Sequence, residues 1–244
     1  MSAANSGHLH PITQVVRKAV SIFDKLGFEV AEGPELETEW YNFDALNIPA
    51  DHPARDMQDT FWIKSQGLQT TSDQIKGKSD SMLLRTHTSS VQVRYMEKHN
   101  PPIRIIAPGK VFRNEATDST HEAQFNQLEG LCIDTEVSLA QLKGTIERFM
   151  KEFLSEDAEI RFRPSYFPFT EPSIETDVKF NGKWMEVVPG GMVHPNVLKA
   201  AGIDPKKYRG FAFGMGIDRM VMVRYGISDI RTLYNGDLRL VNQF

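Results

Sequence analysis

Polar and charged side chains recur along two neighbouring segments of this 244-residue chain that otherwise have the character of β-strands. Residues 111–130 read VFRNEATDSTHEAQFNQLEG, and a polar linker rich in turn-forming residues separates the two segments. Because side chains alternate between the two faces of a strand, polar groups line up on one face. The groups expected to share a face are Arg113 with Glu115, and Phe125 with Gln127 and Glu129. We therefore predict a β-hairpin that carries ionic and amide groups where a structural strand would carry apolar side chains.

The overall composition is that of an ordinary globular protein, and it disfavours several functional classes. Hydrophobic residues make up 40% of the chain, enough for a full core, and the net charge of -4 provides no basic surface for nucleic acid. The single cysteine, Cys132, excludes an internal disulfide and a cysteine-rich metal site, and its apolar neighbours predict a core position. No apolar segment has the length of a signal peptide or a membrane span, so we expect a cytoplasmic protein that does not associate with a membrane.

Three helices have clear start and stop signals in the sequence. Apolar residues at helical spacing predict an amphipathic helix that begins at Pro11 and ends before Gly27. Ser138 and Gln141 form a capping-box pattern at the start of a second amphipathic helix. A third helix is expected over residues 217–225, where a following glycine ends it.

Several further segments have the composition of strands, and they occur in neighbouring runs rather than in strict alternation with helices. The expected strands are residues 103–107, 161–169, 176–180, 184–188 and 211–214. Shorter helices are expected from Ser89 or Ser90 to about residue 99, and over residues 196–201. The polar, turn-rich residues 64–82 predict a surface loop. Strands joined by hairpins favour an α+β fold, with an antiparallel β-sheet flanked by α-helices.

Two glycine-containing segments resemble nucleotide-binding loops but fail at the defining position. Residues 77–79 (GKS) end like a Walker A loop, yet Ser72 stands where that loop requires its first glycine, and no apolar strand precedes it. Residues 214–216 (GMG) begin like a dinucleotide fingerprint, but Arg219 occupies the third glycine position and would obstruct close helix packing. The chain also lacks the GxSxG and HExxH motifs, so hydrolase and zinc-protease functions are disfavoured.

Two arginines on separate elements indicate a nucleotide site of another kind. Arg113 on the predicted hairpin and Arg219 in the first turn of the last helix each present a planar guanidinium that suits a pair of phosphate oxygens. Two glycines just before Arg219 leave a flat surface for an aromatic base, and Phe125 can cover the other face of that base. The alternative is that each arginine forms an ion pair with a neighbouring carboxylate, Arg113 with Glu115 and Arg219 with Asp218.

The same segments carry the motifs of class II aminoacyl-tRNA synthetases. LGFEVAEGPELE around Pro34 looks like motif 1, FRNE with its loop and FNQLEG looks like motif 2, and GMGIDR looks like motif 3. The segments THTSS, YFPFTEPS, GMVHPNVL and GFAFG narrow the resemblance within the class. From about residue 7 to 244 the chain resembles the catalytic core of the bacterial phenylalanyl-tRNA synthetase α subunit. The resemblance implies one catalytic domain over residues 8–244 after a disordered tail over residues 1–7, without the family's N-terminal coiled coil.

The resemblance also assigns an ATP subsite. The residues implied for ATP are Arg113, Glu115, His121, Phe125, Gly216 and Arg219. Among these, Arg113 would hold the α-phosphate and Phe125 and Arg219 would sandwich adenine. His121 would lie beside the phosphates and would share catalysis with the two arginines, because the reaction needs positioning and charge neutralisation rather than a covalent intermediate.

The amino-acid subsite follows in the same way. The resemblance implies that the ammonium and carboxylate groups are bound by His87, Ser89, Gln127 and Glu129, and the phenyl ring by Phe167, Phe169 and Ala212. Aromatic edges and faces can recognise a phenyl ring without a polar partner, and a small residue sets the depth at its para edge. The alternative for Phe167, Phe169 and His87 is an ordinary structural role, which is also the interpretation preferred for His194. Glu171 resembles the family's magnesium ligand, shared with the β subunit.

The implied function is that of a phenylalanine–tRNA ligase α subunit. ATP and Mg²⁺ would serve the activation of L-phenylalanine, and the aminoacyl group would pass to tRNA(Phe), with a β subunit in an α2β2 heterotetramer. One departure from the family is Pro189, which precedes Gly190 and Gly191 where the family has glycine, a small residue and glycine. Two alternatives remain: a stand-alone amino-acid-activating paralogue, and a catalytically silent binding or regulatory module on the same fold. The sequence does not decide whether the chain is active without β.

Overall fold

A seven-stranded sheet organises the computed structural model, which describes residues 8–55, 59–63, 81–180 and 182–244. Its strands, in sheet order, are β1 (Glu29–Val30), β5 (Ile103–Phe112), β6 (Gln124–Asp134), β10 (Arg209–Gly216), β9 (Lys183–Val193), β8 (Thr170–Phe180) and β7 (Ile160–Phe167). β1 pairs with β5 in parallel, whereas the other neighbouring strands of this sheet pair antiparallel. A smaller antiparallel sheet contains β2 (Leu36–Thr38), β4 (Met82–Leu84) and β3 (Trp62–Ile63).

Helices cover the central sheet on both faces, which confirms the predicted α+β fold. They are α1 (Pro11–Lys25), α2 (Glu39–Asn42), α3 (Ser89–Met96), α4 (Leu139–Phe153), α5 (Pro195–Ala200), α6 (Ile217–Tyr225) and α7 (Leu238–Val241). Short 3-10 turns occupy Asp44–Leu46, Pro53–Arg55 and Ile230–Leu233. Within the described ranges, none of the helices combines the length and the apolar character that crossing a bilayer requires. The predicted tail over residues 1–7 and most of the predicted loop over residues 64–82 lie outside the described residues.

The helix start and stop signals in the sequence are confirmed at three places. Pro11 is the first residue of α1. The capping box of α4 has both of its hydrogen bonds, from the Gln141 backbone N–H to Ser138 Oγ at 3.3 Å and from the Ser138 backbone N–H to Gln141 Oε1 at 2.7 Å. Helix α6 ends at Gly226, whose φ of 69° is left-handed and therefore suits glycine.

The two faces of the sheet have different partners. On one face, α1, α4 and α6 bury a cluster of phenylalanines centred on Phe23, whose ring lies 4.6 Å from Phe149, 5.3 Å from Phe213 and 5.6 Å from Phe28 between centroids. On the other face, α3, α5 and residues 43–48 pack on alternate residues of the same strands. The face with the aromatic cluster is closed by helices, so a ligand site has room only on the opposite face.

Several predicted boundaries were wrong, for identifiable physical reasons. Helix α3 begins after Thr88, because the hydroxyl of Ser89 bonds to Glu129 instead of capping the helix, and it ends at Met96 rather than near residue 99. β5 ends at Phe112, so the strand alternation expected for Arg113 and Glu115 does not apply to them.

Three other strands were predicted too short, whereas the strand predicted over residues 161–169 extends past the end of β7. β8 and β9 continue through Pro172 and Pro189, residues that normally argue against strand pairing. A register irregularity between Thr170 and Ser173 accommodates the first of these prolines. β10 likewise starts two residues before the predicted position and ends two residues after it.

Gly130 gives the sheet a point of very close packing against its neighbour. It pairs with Phe213 across β6 and β10, and a Cβ atom at position 130 would lie 2.1 Å from the Phe213 ring. The Phe213 ring therefore lies directly over the glycine and against Phe23. Only a residue without a side chain allows this ring to complete the aromatic cluster.

We predict that Gly130→Ala lowers the free energy of unfolding by about 3 kcal/mol, because the added methyl group displaces the Phe213 ring from a packed core. The double variant Gly130→Ala/Phe213→Leu should recover at least about 1 kcal/mol relative to the sum of the two single changes. Gly144→Ala is the control, since nothing lies within 4 Å of a Cβ there and the position is in the middle of α4. It should stabilise the protein by about 0.5–1 kcal/mol. Urea unfolding measures the unchanged protein, the two single variants, the double variant and the control, and strict additivity would contradict the proposed contact.

Candidate active site

A cavity of about 620 Å³ opens on the face of the central sheet that lies opposite α1, α4 and α6. The middle of β6 and β10 forms its floor, and its walls come from the start of α3, residues 43–54 and the turn between β7 and β8. The predicted site residues that line it are His87, Ser89, Arg113, Glu115, Gln127, Glu129, Phe167, Phe169, Ala212 and Gly216. All residues predicted for amino-acid binding therefore meet in one place.

Strand alternation explains how β6 and β10 supply the floor. On β6, Gln127 and Glu129 face the cavity, whereas Leu128 packs in the cluster beneath the helices. On β10, Ala212 and Gly214 face the cavity. They alternate with Phe211 and Phe213, which pack in the cluster beneath the helices. A Cβ at position 214 would lie 3.1 Å from Glu129 Cγ, so the absence of a side chain there gives the carboxylate its space. The expected polar face of β6 is thus present in the structure.

The Glu129 carboxylate is buried in the floor of the cavity and is held by the start of α3. One oxygen accepts the Thr88 backbone N–H at 3.1 Å, and the other accepts the Ser89 hydroxyl and the Gln92 amide, the latter at 3.1 Å. Burial raises the pKa of Glu129, whereas the hydrogen bonds from Ser89 and Thr88 and the charge of Arg113 lower it. Three donors thus fix an acidic group at a defined position.

Arg113 lies beside this carboxylate, immediately after β5. Its Nε donates to the Thr86 carbonyl at 3.2 Å, and its guanidinium carbon lies 5.0 Å from the centre of the Phe125 ring. Burial lowers the pKa of Arg113, and the charges of Glu115 and Glu129 raise it. Within the described residues, Arg113 and Glu115 form no ion pair. The alternative in which Arg113 pairs with Glu115 is therefore wrong. The guanidinium remains available to an anionic ligand.

His87 and Gln127 contribute polar atoms that have no partner of their own. Within the described part of the chain, both ring nitrogens of His87 and the Oε1 of Gln127 are buried without a hydrogen bond. Burial, and after it the charge of Arg113, lowers the pKa of His87 to about 3. The nearby Asn42 backbone raises this pKa, although it forms no hydrogen bond with the ring. The imidazole is therefore neutral at physiological pH. Buried polar atoms without partners are unfavourable, which indicates that a ligand completes them.

The other end of the cavity is apolar. The rings of Phe167 and Phe169 lie 5.9 Å apart between centroids and are nearly parallel, with an angle of 12° between them. Ala212 lies between Gly191 and Leu131 across the neighbouring strands, and its methyl group lines the cavity. This end can hold a flat hydrophobic group.

Sequence reasoning missed several residues that line the cavity. Phe43, Leu46 and Ile48 contribute apolar surface from a short irregular segment that has no periodic pattern to reveal it. Gln92 holds Glu129, and its three-residue spacing from Ser89 matches a capping box. A capping-box interpretation of Ser89 and Gln92 would have been wrong, because the Gln92 amide bonds to the Glu129 carboxylate and not to the start of α3.

Four predicted site residues lie outside the cavity lining: Phe125, His121, Glu171 and Arg219. Arg219 is exposed and donates a long hydrogen bond of 3.5 Å to the Glu186 carbonyl. Its predicted alternative partner, Asp218, points inward and bonds to the Asn126 backbone N–H, so the ion-pair alternative for Arg219 is wrong. His121 is also exposed, and its Nδ1 lies 3.0 Å from both carboxylate oxygens of Asp118.

Glu171, the predicted magnesium ligand, lies on β8, and it also stands outside the lining residues. Its side chain is 77% exposed, with one carboxylate oxygen 3.5 Å from His194 Nε2. The described residues contain no group of three histidines, cysteines or acids that could hold a metal ion together. His194 accepts the Asn196 backbone N–H at 3.1 Å and thereby caps α5, in agreement with its predicted structural role.

Solved structures and curated sequences agree with this architecture. The crystal structure of pyrrolysyl-tRNA synthetase from Desulfitobacterium hafniense aligns with this chain at a TM-score of 0.67 and 17% identity. The alignment covers 92% of this chain and 73% of the synthetase chain. At that identity the likeness shows the fold alone. The family model described as "tRNA synthetases class II core domain (F)" matches residues 1–244.

Close relatives narrow the assignment. The phenylalanine–tRNA ligase alpha subunit of Synechocystis sp. is 55% identical over 98% of this chain and 67% of its own length. The protein of the same name from Escherichia coli is 53% identical over 98% of this chain and 68% of its own length. With a family model over its whole length and relatives of this identity, the chain belongs to the class II aminoacyl-tRNA synthetase core family, among the phenylalanine–tRNA ligase α subunits.

Proposed function

We propose that this chain activates L-phenylalanine with ATP and transfers it to tRNA(Phe), acting with a β subunit. The observation that carries the proposal is the polarity of the single cavity. At one end Glu129 and Arg113 present opposite charges beside unpaired polar atoms, and at the other end Phe167 and Phe169 present an aromatic wall. An aromatic amino acid, with its two charged groups at one end and a ring at the other, matches this gradient.

The polar end supports specific contacts for the amino acid. We infer that Glu129 binds the ammonium group, because a buried carboxylate held by fixed donors favours a cation. Ser89 already donates to Glu129, so its contribution is to orient that carboxylate as well as to approach the substrate. The buried acceptor of Gln127 and the neutral ring of His87 then complete the hydrogen bonds of the ammonium and carboxylate groups.

The aromatic end supports selection of the side chain. Phe167 and Phe169 offer faces and edges to a phenyl ring, and Ala212 limits the depth at its para position. An apolar pocket rejects an added hydroxyl group only about a hundredfold, so discrimination against tyrosine needs a further step. We propose that the β subunit supplies that step by editing, as the family resemblance implies.

The ATP subsite adjoins the amino-acid subsite along the hairpin. Arg113 would contact the α-phosphate, with Glu115 and His121 close to the nucleotide, and adenine would lie between Phe125 and Arg219 over Gly216. In the structure the Arg113 guanidinium lies over the Phe125 ring. We infer that adenine occupies the part of this ring that the guanidinium leaves open when Arg113 turns towards phosphate. Arg219 is exposed, and its hydrogen bond to the Glu186 carbonyl is long, so its guanidinium can move to cover the base.

The proposed chemistry is an in-line displacement at phosphorus. A carboxylate oxygen of phenylalanine attacks the α-phosphate, the bond to the bridging oxygen of the β-phosphate breaks, and phenylalanyl adenylate and pyrophosphate form. Arg113 and Arg219 stabilise the negative charge that develops, and the floor of the cavity holds both substrates in reach. The adenylate then acylates a hydroxyl of the terminal ribose of tRNA(Phe), and AMP leaves.

We also propose a magnesium site and a quaternary arrangement. Mg²⁺ is commonly held by one or two carboxylates together with substrate phosphates, and one carboxylate, Glu171, is what the chain offers at the predicted place. The exposure of its side chain, which does not line the cavity, fits an ion shared with another chain better than one inside the cavity. We propose an α2β2 heterotetramer in the cytoplasm, in which β contributes to that site.

We predict phenylalanine-dependent exchange of labelled pyrophosphate into ATP when the chain is combined with its β subunit, and little exchange by the chain alone. The comparison of the two conditions also separates the alternatives. Robust exchange by the isolated chain would favour a stand-alone activating enzyme, and no exchange under either condition would support a silent binding module. Arg113→Ala serves as the inactive control, with an expected loss of at least a hundredfold in kcat/KM.

The depth of the ring pocket gives a second prediction. Ala212→Gly should increase the activation of para-chlorophenylalanine relative to phenylalanine at least tenfold, because removal of the methyl group makes room at the para position. Competition between the two amino acids in the exchange assay measures this ratio. Ala31→Gly removes a methyl group from a buried position away from the cavity and should leave the ratio unchanged. No gain for the para-substituted substrate would show that Ala212 does not face the ring.

The ammonium contact gives a third prediction. Glu129→Gln should weaken the binding of phenylalanine about a hundredfold and leave the weak inhibition by 3-phenylpropionate, which has no ammonium group, within threefold. In the unchanged protein, KM for phenylalanine should rise as the pH falls through the raised pKa of Glu129, since the carboxyl group becomes neutral. Glu129→Gln should lack this transition. Glu152→Gln, which alters a surface ion pair with Lys25, is the control. An equal loss for both compounds would place the ammonium group elsewhere.

A further inference from the structure

Three partly buried hydrogen bonds connect β6, α6 and the C-terminal segment beside the proposed ATP subsite. The carboxylate of Asp218, only 1% exposed, accepts the Asn126 backbone N–H at 2.7 Å and the Tyr234 hydroxyl. The Asn126 side-chain amide donates to the Tyr234 hydroxyl oxygen at 3.0 Å. The three residues thus form a closed triangle, which we name the Asp218 triangle.

The position of this triangle follows from where β10 ends. The pairing of β10 with β6 stops at Gly216, which lies opposite Gln127. The next residue of β6, Asn126, therefore has a backbone N–H on that side with no strand carbonyl to receive it. The carboxylate of Asp218, from the first turn of α6, takes the place of the missing carbonyl. A buried N–H would otherwise lose its hydrogen bond, so the contact is a structural requirement at this point.

The triangle lies next to both residues proposed to enclose adenine. Asn126 follows Phe125 directly, and Asp218 precedes Arg219 directly. Within the described part of the chain, Arg219 makes one long hydrogen bond of 3.5 Å to a backbone carbonyl and no ion pair. Its location therefore depends on the backbone of α6, and the bond from Asp218 to Asn126 fixes that backbone relative to the strand that carries Phe125.

The C-terminal segment also holds the loop of the hairpin. The Ile230 backbone N–H donates to the Ser119 carbonyl at 2.9 Å, near the tip of the loop between β5 and β6. Ile230 and Leu233 are buried in the cluster beneath the helices, which anchors the segment to the core. The Tyr234 hydroxyl then accepts a hydrogen bond from Asn126, which lies on β6 just after the loop. One anchored segment therefore contacts the hairpin at two points.

We propose that Asp218 and Tyr234 are positioning residues for the nucleotide: through the Asp218 triangle they set the separation of Phe125 and Arg219, and hence the width of the adenine slot. The inference rests on the proposed function, since it concerns the ATP subsite of that reaction. Neither side chain lines the cavity, so neither touches the amino acid. A defect in the triangle should therefore act on ATP and spare phenylalanine.

The experiment compares Tyr234→Phe and Asp218→Asn with the unchanged chain, each combined with the β subunit. Pyrophosphate exchange gives KM for ATP and KM for phenylalanine, and equilibrium binding of ATP without amino acid gives an independent affinity. Tyr234→Phe should raise KM for ATP threefold to tenfold, and Asp218→Asn at least tenfold, with KM for phenylalanine within twofold in both. Tyr225→Phe is the matched control, because it removes another hydroxyl from the C-terminal half, one that bonds to Gln14 at 3.3 Å. It should change neither KM by more than twofold.

The outcomes separate the inference from the proposed function. If the unchanged complex shows no exchange, the proposed function fails, and the ATP affinities of the variants still decide the role of the triangle. If Asp218→Asn does not fold, as judged by its thermal transition, Tyr234→Phe decides alone. An ATP affinity for Tyr234→Phe within twofold of the unchanged chain, or equal increases in both KM values, would overturn the inference.

Discussion

The buried carboxylate of Glu129 is the constraint on which the site depends. A carboxylate can be held away from water only where hydrogen-bond donors replace the lost solvent, and the start of α3 supplies three of them from Thr88, Ser89 and Gln92. This requirement explains why α3 lies across the sheet face and why its first hydroxyl is not used as a cap. It also explains the glycine opposite, since a side chain at position 214 would compete for the space of the carboxylate.

The rest of the fold makes this arrangement rigid. The aromatic cluster around Phe23 fills the far side of the sheet, so β6 and β10 are packed from behind by residues that cannot move without disturbing the core. Alternation then delivers polar groups to one face and apolar groups to the other from the same strand. A site on the middle of two central strands has better-defined geometry than a site on loops. The proposed adenine side is less enclosed, since Arg219 is exposed, and there the C-terminal segment contacts the hairpin through Ile230 and Tyr234.

Much of the fold could be predicted from the sequence, because its signals are local. The capping box at Ser138, the proline at the start of α1 and the glycine after α6 each act within one turn of helix. The polar face of β6 follows from a period of two. The strand boundaries were less predictable. Pro172 is tolerated where the register between β8 and β9 shifts, and Pro189 is tolerated where it pairs with β8. The apolar wall at Phe43 and Leu46 was not predictable, because an irregular segment places side chains by tertiary packing alone.

The site residues divide in the same way. Gln127 and Glu129 stand out because charged and amide groups on a strand face are unusual. The partner that holds Glu129 in place, Gln92, gives no such signal, since a glutamine in a first helical turn has an ordinary explanation. The unpaired nitrogens of His87 have a wider consequence. A sequence selected only for thermal stability would place apolar atoms of the same shape there, so these nitrogens mark a position where the chain gives up stability for polar character.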